Sequence, residues 1–144
     1  MKQALNIGLQ HASCVDFDGK GVLILGDSGS GKSSLALACI SIGARLVGDD
    51  YVDLTVDQGA IIAGCPPNIA GLIEVAKVGV LNCDYINSTK LALAIDISQA
   101  EVARMPPQRH IALQECDIPL IYGANIPYLH SVALQFVTAG RADV

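Results

Sequence analysis

Residues 26–33, Gly26-Asp27-Ser28-Gly29-Ser30-Gly31-Lys32-Ser33, spell a complete G-x-x-x-x-G-K-S phosphate-binding loop, and their flanks decide the fold. Val22-Leu23-Ile24-Leu25 just before them is an apolar run that reads as a strand. Ser33-Ser34-Leu35-Ala36-Leu37-Ala38-Cys39-Ile40 just after reads as a helix. In that context the glycines let successive backbone N–H groups point at phosphates. Lys32 is then placed to reach the β- and γ-phosphates and the Ser33 hydroxyl to ligate Mg²⁺. The bland alternative is a Gly/Ser-rich surface turn. A chance match in a chain of this length has a probability of roughly half a per cent, and the flanks favour a purine nucleotide site formed by residues 26–33.

Length and composition bound the rest. The 144 residues read as one domain, large enough to bury a core. Hydrophobic residues make up 51% and charged residues 16%, apolar enough that other subunits are expected to cover part of the surface. A net charge of −5 argues against a nucleic-acid partner, which needs a basic footprint. No uncharged apolar stretch approaches the ~20 residues of a membrane span, and the start, Met1 to Asn6, lacks the apolar core of a signal peptide. Cys14, Cys39, Cys65, Cys83 and Cys116 are widely spread and never form C-x-x-C. They read as small hydrophobes in a reducing cytoplasm, not as a zinc site or disulfide frame.

Along the chain the pattern is that of a β-rich α/β domain. Residues 12–17 and 22–25 flank the turn Asp18-Gly19-Lys20-Gly21, a hairpin whose second strand feeds the loop. The loop helix is predicted to end near Gly43, with a strand restarting at Arg45-Leu46-Val47 and stopping or bending at Asp49-Asp50. Residues 51–56 and 60–63 form a second hairpin around Asp57-Gln58-Gly59, and Pro66-Pro67 breaks the chain. Residues 72–75 and 78–81 are short apolar runs, 91–97 a core strand, 118–122 an edge strand, and 128–138 a closing helix.

The acidic pair Asp49 and Asp50 stands 17 and 18 residues after Lys32, about one helix plus one strand, so it can return to the loop. Adjacent strand residues point to opposite faces and cannot easily share a role. One division has one carboxylate facing the transferring phosphate and the other holding Mg²⁺ or the loop. Two carboxylates beside a triphosphate would repel it without a metal, which implies Mg²⁺. A solvated Asp-Asp turn is the other reading, and spacing leaves both open.

With these residues together the chain resembles the HPr kinase/phosphorylase family, in a short form consisting of the catalytic domain alone. The resemblance runs from about His11 to the C-terminus. It is carried by His11 before a hairpin, residues 26–33, Gly43-Ala44-Arg45-Leu46-Val47-Gly48-Asp49-Asp50 with Val52-Asp53 following, and Leu72-Ile73-Glu74-Val75. It implies a P-loop-containing α/β fold similar to the nucleotide-binding part of phosphoenolpyruvate carboxykinase. It also implies ATP and Mg²⁺ as cofactors and a serine of the phosphocarrier HPr as acceptor. Phosphate-dependent removal of that phosphoryl group, releasing pyrophosphate, belongs to the same family, as does a homo-oligomer, hexameric in the longer members.

Carried over by position, the resemblance makes Asp50 the catalytic carboxylate, able to take the serine proton. It makes His11 an active-site histidine and Glu74, with Ser33 and Asp49, part of the Mg²⁺ site. Lys32 and Arg104 are the catalytic cations, Arg104 by a looser match; a guanidinium could stabilise the transferring group. The chain also departs from the family. Ala76-Lys77-Val78-Gly79 stands where the family has Arg-Gly-x-Gly, and no arginine falls in residues 125–130, where the segment tied to dephosphorylation would lie. The kinase constellation is the more complete one. A P-loop kinase for a small molecule would share Lys32, Ser33 and Asp50 but need a closed pocket or lid, and the lack of a long Arg-rich lid segment disfavours it. A nucleotide-binding regulator with decayed chemistry is the other alternative.

Overall fold

The computed structural model describes residues 3–144. Met1 and Lys2, part of the stretch on which the signal-peptide expectation rests, lie outside the described residues. In chain order the elements are β1 (Gln3–Ala4), β2 (Gly8–His11), β3 (Ser13–Phe17), β4 (Lys20–Leu25), α1 (Lys32–Ser41), β5 (Arg45–Gly48), β6 (Tyr51–Asp57), β7 (Ala60–Gly64), β8 (Leu72–Val75), β9 (Gly79–Asn82), β10 (Ser88–Asp96), β11 (Arg109–Leu113), β12 (Cys116–Tyr122) and α2 (Leu129–Ala139). The main sheet runs β1-β11-β12-β10-β4-β3-β5, with β7, β6 and β2 branching from β10, and β8 and β9 form a separate hairpin.

Period-2 alternation along β4 divides the core between two faces. Val22 and Ile24 pack in the layer that holds Leu35, Ala36 and Cys39 of α1 with Leu129 and Ala133 of α2. Leu23 and Leu25 belong to the opposite layer, with Val52 and Leu54 of β6 and Ile61 and Ala63 of β7. β10 joins the two halves of the sheet. Its start pairs antiparallel with β7 at residues 88–90, and its end pairs parallel with β12 from Ala94 to Asp96. On its other edge it runs parallel to β4, with a bulge between Leu91 and Leu93. The extra residue turns Leu91 to the strand-covered layer and Leu93 to the helical one. Leu93 is fully buried. Leu93→Ala is therefore expected to cost about 2–5 kcal/mol of stability, read by urea denaturation.

The predicted hairpins, loop helix, core strand and closing helix all form. Residues 118–122 do not form an edge strand: β12 lies between β11 and β10. Pro119 prompts an edge reading because it donates no hydrogen bond. Here it stands one residue before the parallel ladder to β10 begins at Leu120, where the missing N–H is tolerated. Strand β11, on its other side, carries too few periodic residues to be read from sequence.

Candidate active site

The loop after β4 is shaped by close approach and by left-handed backbone. Gly29 and Gly31 have φ of 77° and 106°, conformations that side chains rarely adopt. A Cβ on Gly26 would lie 2.5 Å from Ser30 Oγ and 2.8 Å from Ile97 Cγ1. The ammonium of buried Lys32 donates to the carbonyls of Gly26 at 3.0 Å and Asp27 at 3.1 Å, tying the start of the loop to its end. The Asp27 N–H donates to Ser98 Oγ at 2.8 Å. No acidic side chain stands in the first turn of α1. The positive end of that helix therefore has no carboxylate of its own turn to offset it, a setting that favours an anion.

The two aspartates separate as the sequence predicts, through a turn. Asp50 has φ 71°, which sends the chain from β5 into β6 and leaves its carboxylate exposed while Asp49 is buried. Asp49 Oδ1 accepts from Ser13 Oγ at 2.9 Å and Ser33 Oγ at 2.6 Å, and its Oδ2 accepts from the Glu74 N–H at 2.9 Å. One carboxylate thus holds β3, α1 and β8 together. Asp50 Oδ1 lies 2.8 Å from His11 Nε2, and the His11 ring packs on Tyr51 with centroids 5.3 Å apart. Burial, with the Asp49 and Asp84 carboxylates nearby, pushes the Cys83 thiol up from its ordinary pKa.

These groups share one cleft of about 320 Å³, whose lining includes His11, Ser28, Gly29, Gly31, Lys32, Ser33, Asp50 and Glu74. Gly26 and Asp27 border a neighbouring cavity, and Ser30 another. Asp49 stands behind Ser33. Arg104 is not brought to the cleft. It lines a separate cavity with Glu101, Tyr122 and Arg141. Its segment leads into β11, and β12 and β10 stand between β11 and β4. The Arg109 guanidinium holds that region by bonding Glu101 at 2.7 and 3.1 Å and lying 4.2 Å over the Tyr122 ring. Ala76 lines the cleft, whereas Lys77, in the β8–β9 turn with φ 68°, does not.

Ser13 is a site residue that motif reading misses. Its hydroxyl donates to the Asp49 carboxylate and accepts from the Asp50 N–H at 3.4 Å, so it holds the Asp49 side chain and the Asp50 backbone. The available signal was a hydroxyl between apolar residues on a buried strand, which needs a partner. For a divalent cation the cleft offers oxygen donors, the Ser33 hydroxyl and the Glu74 carboxylate. Because Ser33 gives its proton to Asp49, its lone pairs are free for a cation. This small, hard donor set fits Mg²⁺, which takes one or two carboxylates and completes its shell with phosphate oxygens and water. No group of three or more His, Cys, Asp or Glu among the described residues could hold a metal unaided.

The family model for the HPr serine kinase C-terminal domain matches residues 4–139. An HPr kinase/phosphorylase of Clostridium botulinum is 42% identical over 72 residues, which are 50% of this chain and 24% of that protein. One from Leptothrix cholodnii is 47% identical over 74 residues, 51% of this chain and 23% of that protein. The matched segment thus spans about a quarter of these relatives' length. The solved HPr(Ser) kinase/phosphatase from Coxiella burnetii superposes with a TM-score of 0.77 at 26% identity, covering 90% of this chain and 88% of that one. With the end of the loop, Asp50 and Glu74 lining one cleft, and the family model matching residues 4–139, nearly the whole chain, the chain belongs to the HPr serine kinase C-terminal domain family.

Proposed function

We propose that this chain transfers the γ-phosphoryl group of ATP to a serine hydroxyl of the phosphocarrier HPr. The observation that carries the reading is the His11–Asp50 contact at 2.8 Å in the same cleft as Lys32, Ser33 and Glu74. The loop N–H groups and Lys32 hold the phosphates in place. Asp50 accepts the serine proton as the oxygen attacks phosphorus, and His11 fixes the carboxylate's orientation. Ser33 and Glu74 would hold Mg²⁺, which when bound supplies positive charge to the phosphate oxygens. Asp49, with both oxygens engaged, orients the Ser33 hydroxyl and carries the loop geometry.

The His11 and Asp50 side chains are 36% and 60% exposed, which suits an acceptor presented by another protein better than a small molecule needing a closed pocket. Purified chain incubated with ATP, Mg²⁺ and HPr tests the proposal. Phosphoserine on HPr supports it; phosphorylation of a metabolite alone, or binding without transfer, overturns it. Assembly into homo-oligomers is part of the same proposal, motivated by the apolar composition and by exposed Leu9, Val78 and Val80. Light scattering that shows only monomer overturns that part.

The two directions are expected to differ. Phosphorolysis must seat a second phosphate beside phosphoserine, and concentrated negative charge calls for cations. Lys32 is the only Lys or Arg among the cleft-lining residues, Ala76 standing where the family has arginine. Forward transfer is expected to exceed pyrophosphate release from phospho-HPr under matched conditions. Equal rates would show that Lys77, Arg104 or another subunit supplies the missing charge.

A further inference from the structure

We infer that the purine base and ribose lie in a second cavity beside the loop, between the start of α1 and the segment joining β12 to α2. The inference rests on the nucleotide reading above and names the part of the site that selects the base. This cavity, of about 310 Å³, is within the ~300–1,000 Å³ range of small-molecule sites. Gly31 and Ser34 border both it and the catalytic cleft. A phosphate chain over the first turn of α1 leads from one space into the other. Asp50 and His11 mark the cleft as the end where transfer occurs, so the opposite end of the nucleotide enters the second cavity.

Its walls suit an aromatic ring. Leu35 and Ala38 of α1 face Ile97, Ile126 and Leu129, which gives apolar surface for stacking. Asn125 adds an amide with one donor side and one acceptor side, the complement of the N6 and N7 edge of adenine. The backbone around Asn125 is pinned. The Ala124 N–H donates to Gln99 O at 2.9 Å and the Ile126 N–H to Gly123 O at 3.2 Å. Gly123 lets the segment close on α2, since a Cβ there would lie 2.7 Å from Leu129 Cδ1 and 2.9 Å from Ile95 Cγ2. A larger cavity of about 490 Å³ borders Gly26 and Asp27 but touches no residue of α1, over whose first turn the phosphate chain runs.

The test compares ATP with tripolyphosphate, each titrated with Mg²⁺ into the whole chain. Wild type is expected to bind ATP more tightly. Ala38→Met, which fills the cavity, is expected to weaken ATP by about ten- to a hundredfold and leave tripolyphosphate unchanged. Asn125→Gly removes the amide without straining the φ of 70° and is expected to narrow the preference for ATP over GTP. Wild type with equal affinity for ATP and tripolyphosphate, or Ala38→Met with wild-type affinity for ATP, overturns the inference. Wild type that binds neither overturns the nucleotide reading and this inference with it. A measurement independent of variants is photolabelling with 8-azido-ATP: label on residues 34–38, Ile97 or residues 123–130 is expected, and label confined to residues 4–10 overturns the assignment.

Discussion

Asp50→Asn leaves ATP binding near the wild-type value and slows phosphoryl transfer to serine by roughly 10²–10⁴. The substitution keeps the shape of the side chain and its contact with His11 but removes the proposed base. Serine is a weak nucleophile until its proton has an acceptor, so the loss falls on turnover. The exposed carboxylate meets His11 of β2, a contact that the amide keeps, and the fold is expected to be unaffected. Single-turnover transfer to HPr, with calorimetric ATP binding in parallel, checks both halves. Transfer near the wild-type rate would falsify the assignment of the base. Asp49→Asn gives the contrasting result. An amide cannot accept from Ser13, Ser33 and the Glu74 N–H as the carboxylate does. That variant is expected to lower the melting temperature, together with ATP affinity, because three elements lose their common anchor.

Lys32→Ala abolishes most of the affinity for ATP. Removing one partner of a desolvated charge pair costs about 2–5 kcal/mol, roughly a thirtyfold to several-thousandfold loss. Two effects add here. In the proposed site the ammonium meets the β- and γ-phosphates, and it also bonds the Gly26 and Asp27 carbonyls that close the loop. Calorimetry with millimolar Mg²⁺ measures the loss. Ser33→Ala is the companion variant, expected to retain ATP binding while weakening its dependence on Mg²⁺. Lys32→Ala with wild-type affinity would show that the phosphates lie elsewhere.

Much of this site was legible in the sequence because its determinants are local. A strand, three glycines and a Lys-Ser pair opening a helix dictate backbone geometry within a few residues, and no distant contact is needed to read them. The hairpins were equally legible, since Asp-Gly and Gln-Gly turns fix their registers, and so was the separation of Asp49 from Asp50. What the sequence could not place is what depends on strand order. His11 and Asp50 meet because β2 pairs with β6, a contact across 39 residues. Arg104 matched a catalytic position by its neighbours in the chain, yet β12 and β10 stand between its part of the sheet and the loop. Pro119 has the sequence character of an edge residue, yet the parallel ladder to β10 starts just beyond it. The bulge after Leu91 reverses which face its neighbours occupy, and no local pattern announces it. Local backbone chemistry wrote the phosphate loop, while the non-local pairing of strands decided which side chains reach it.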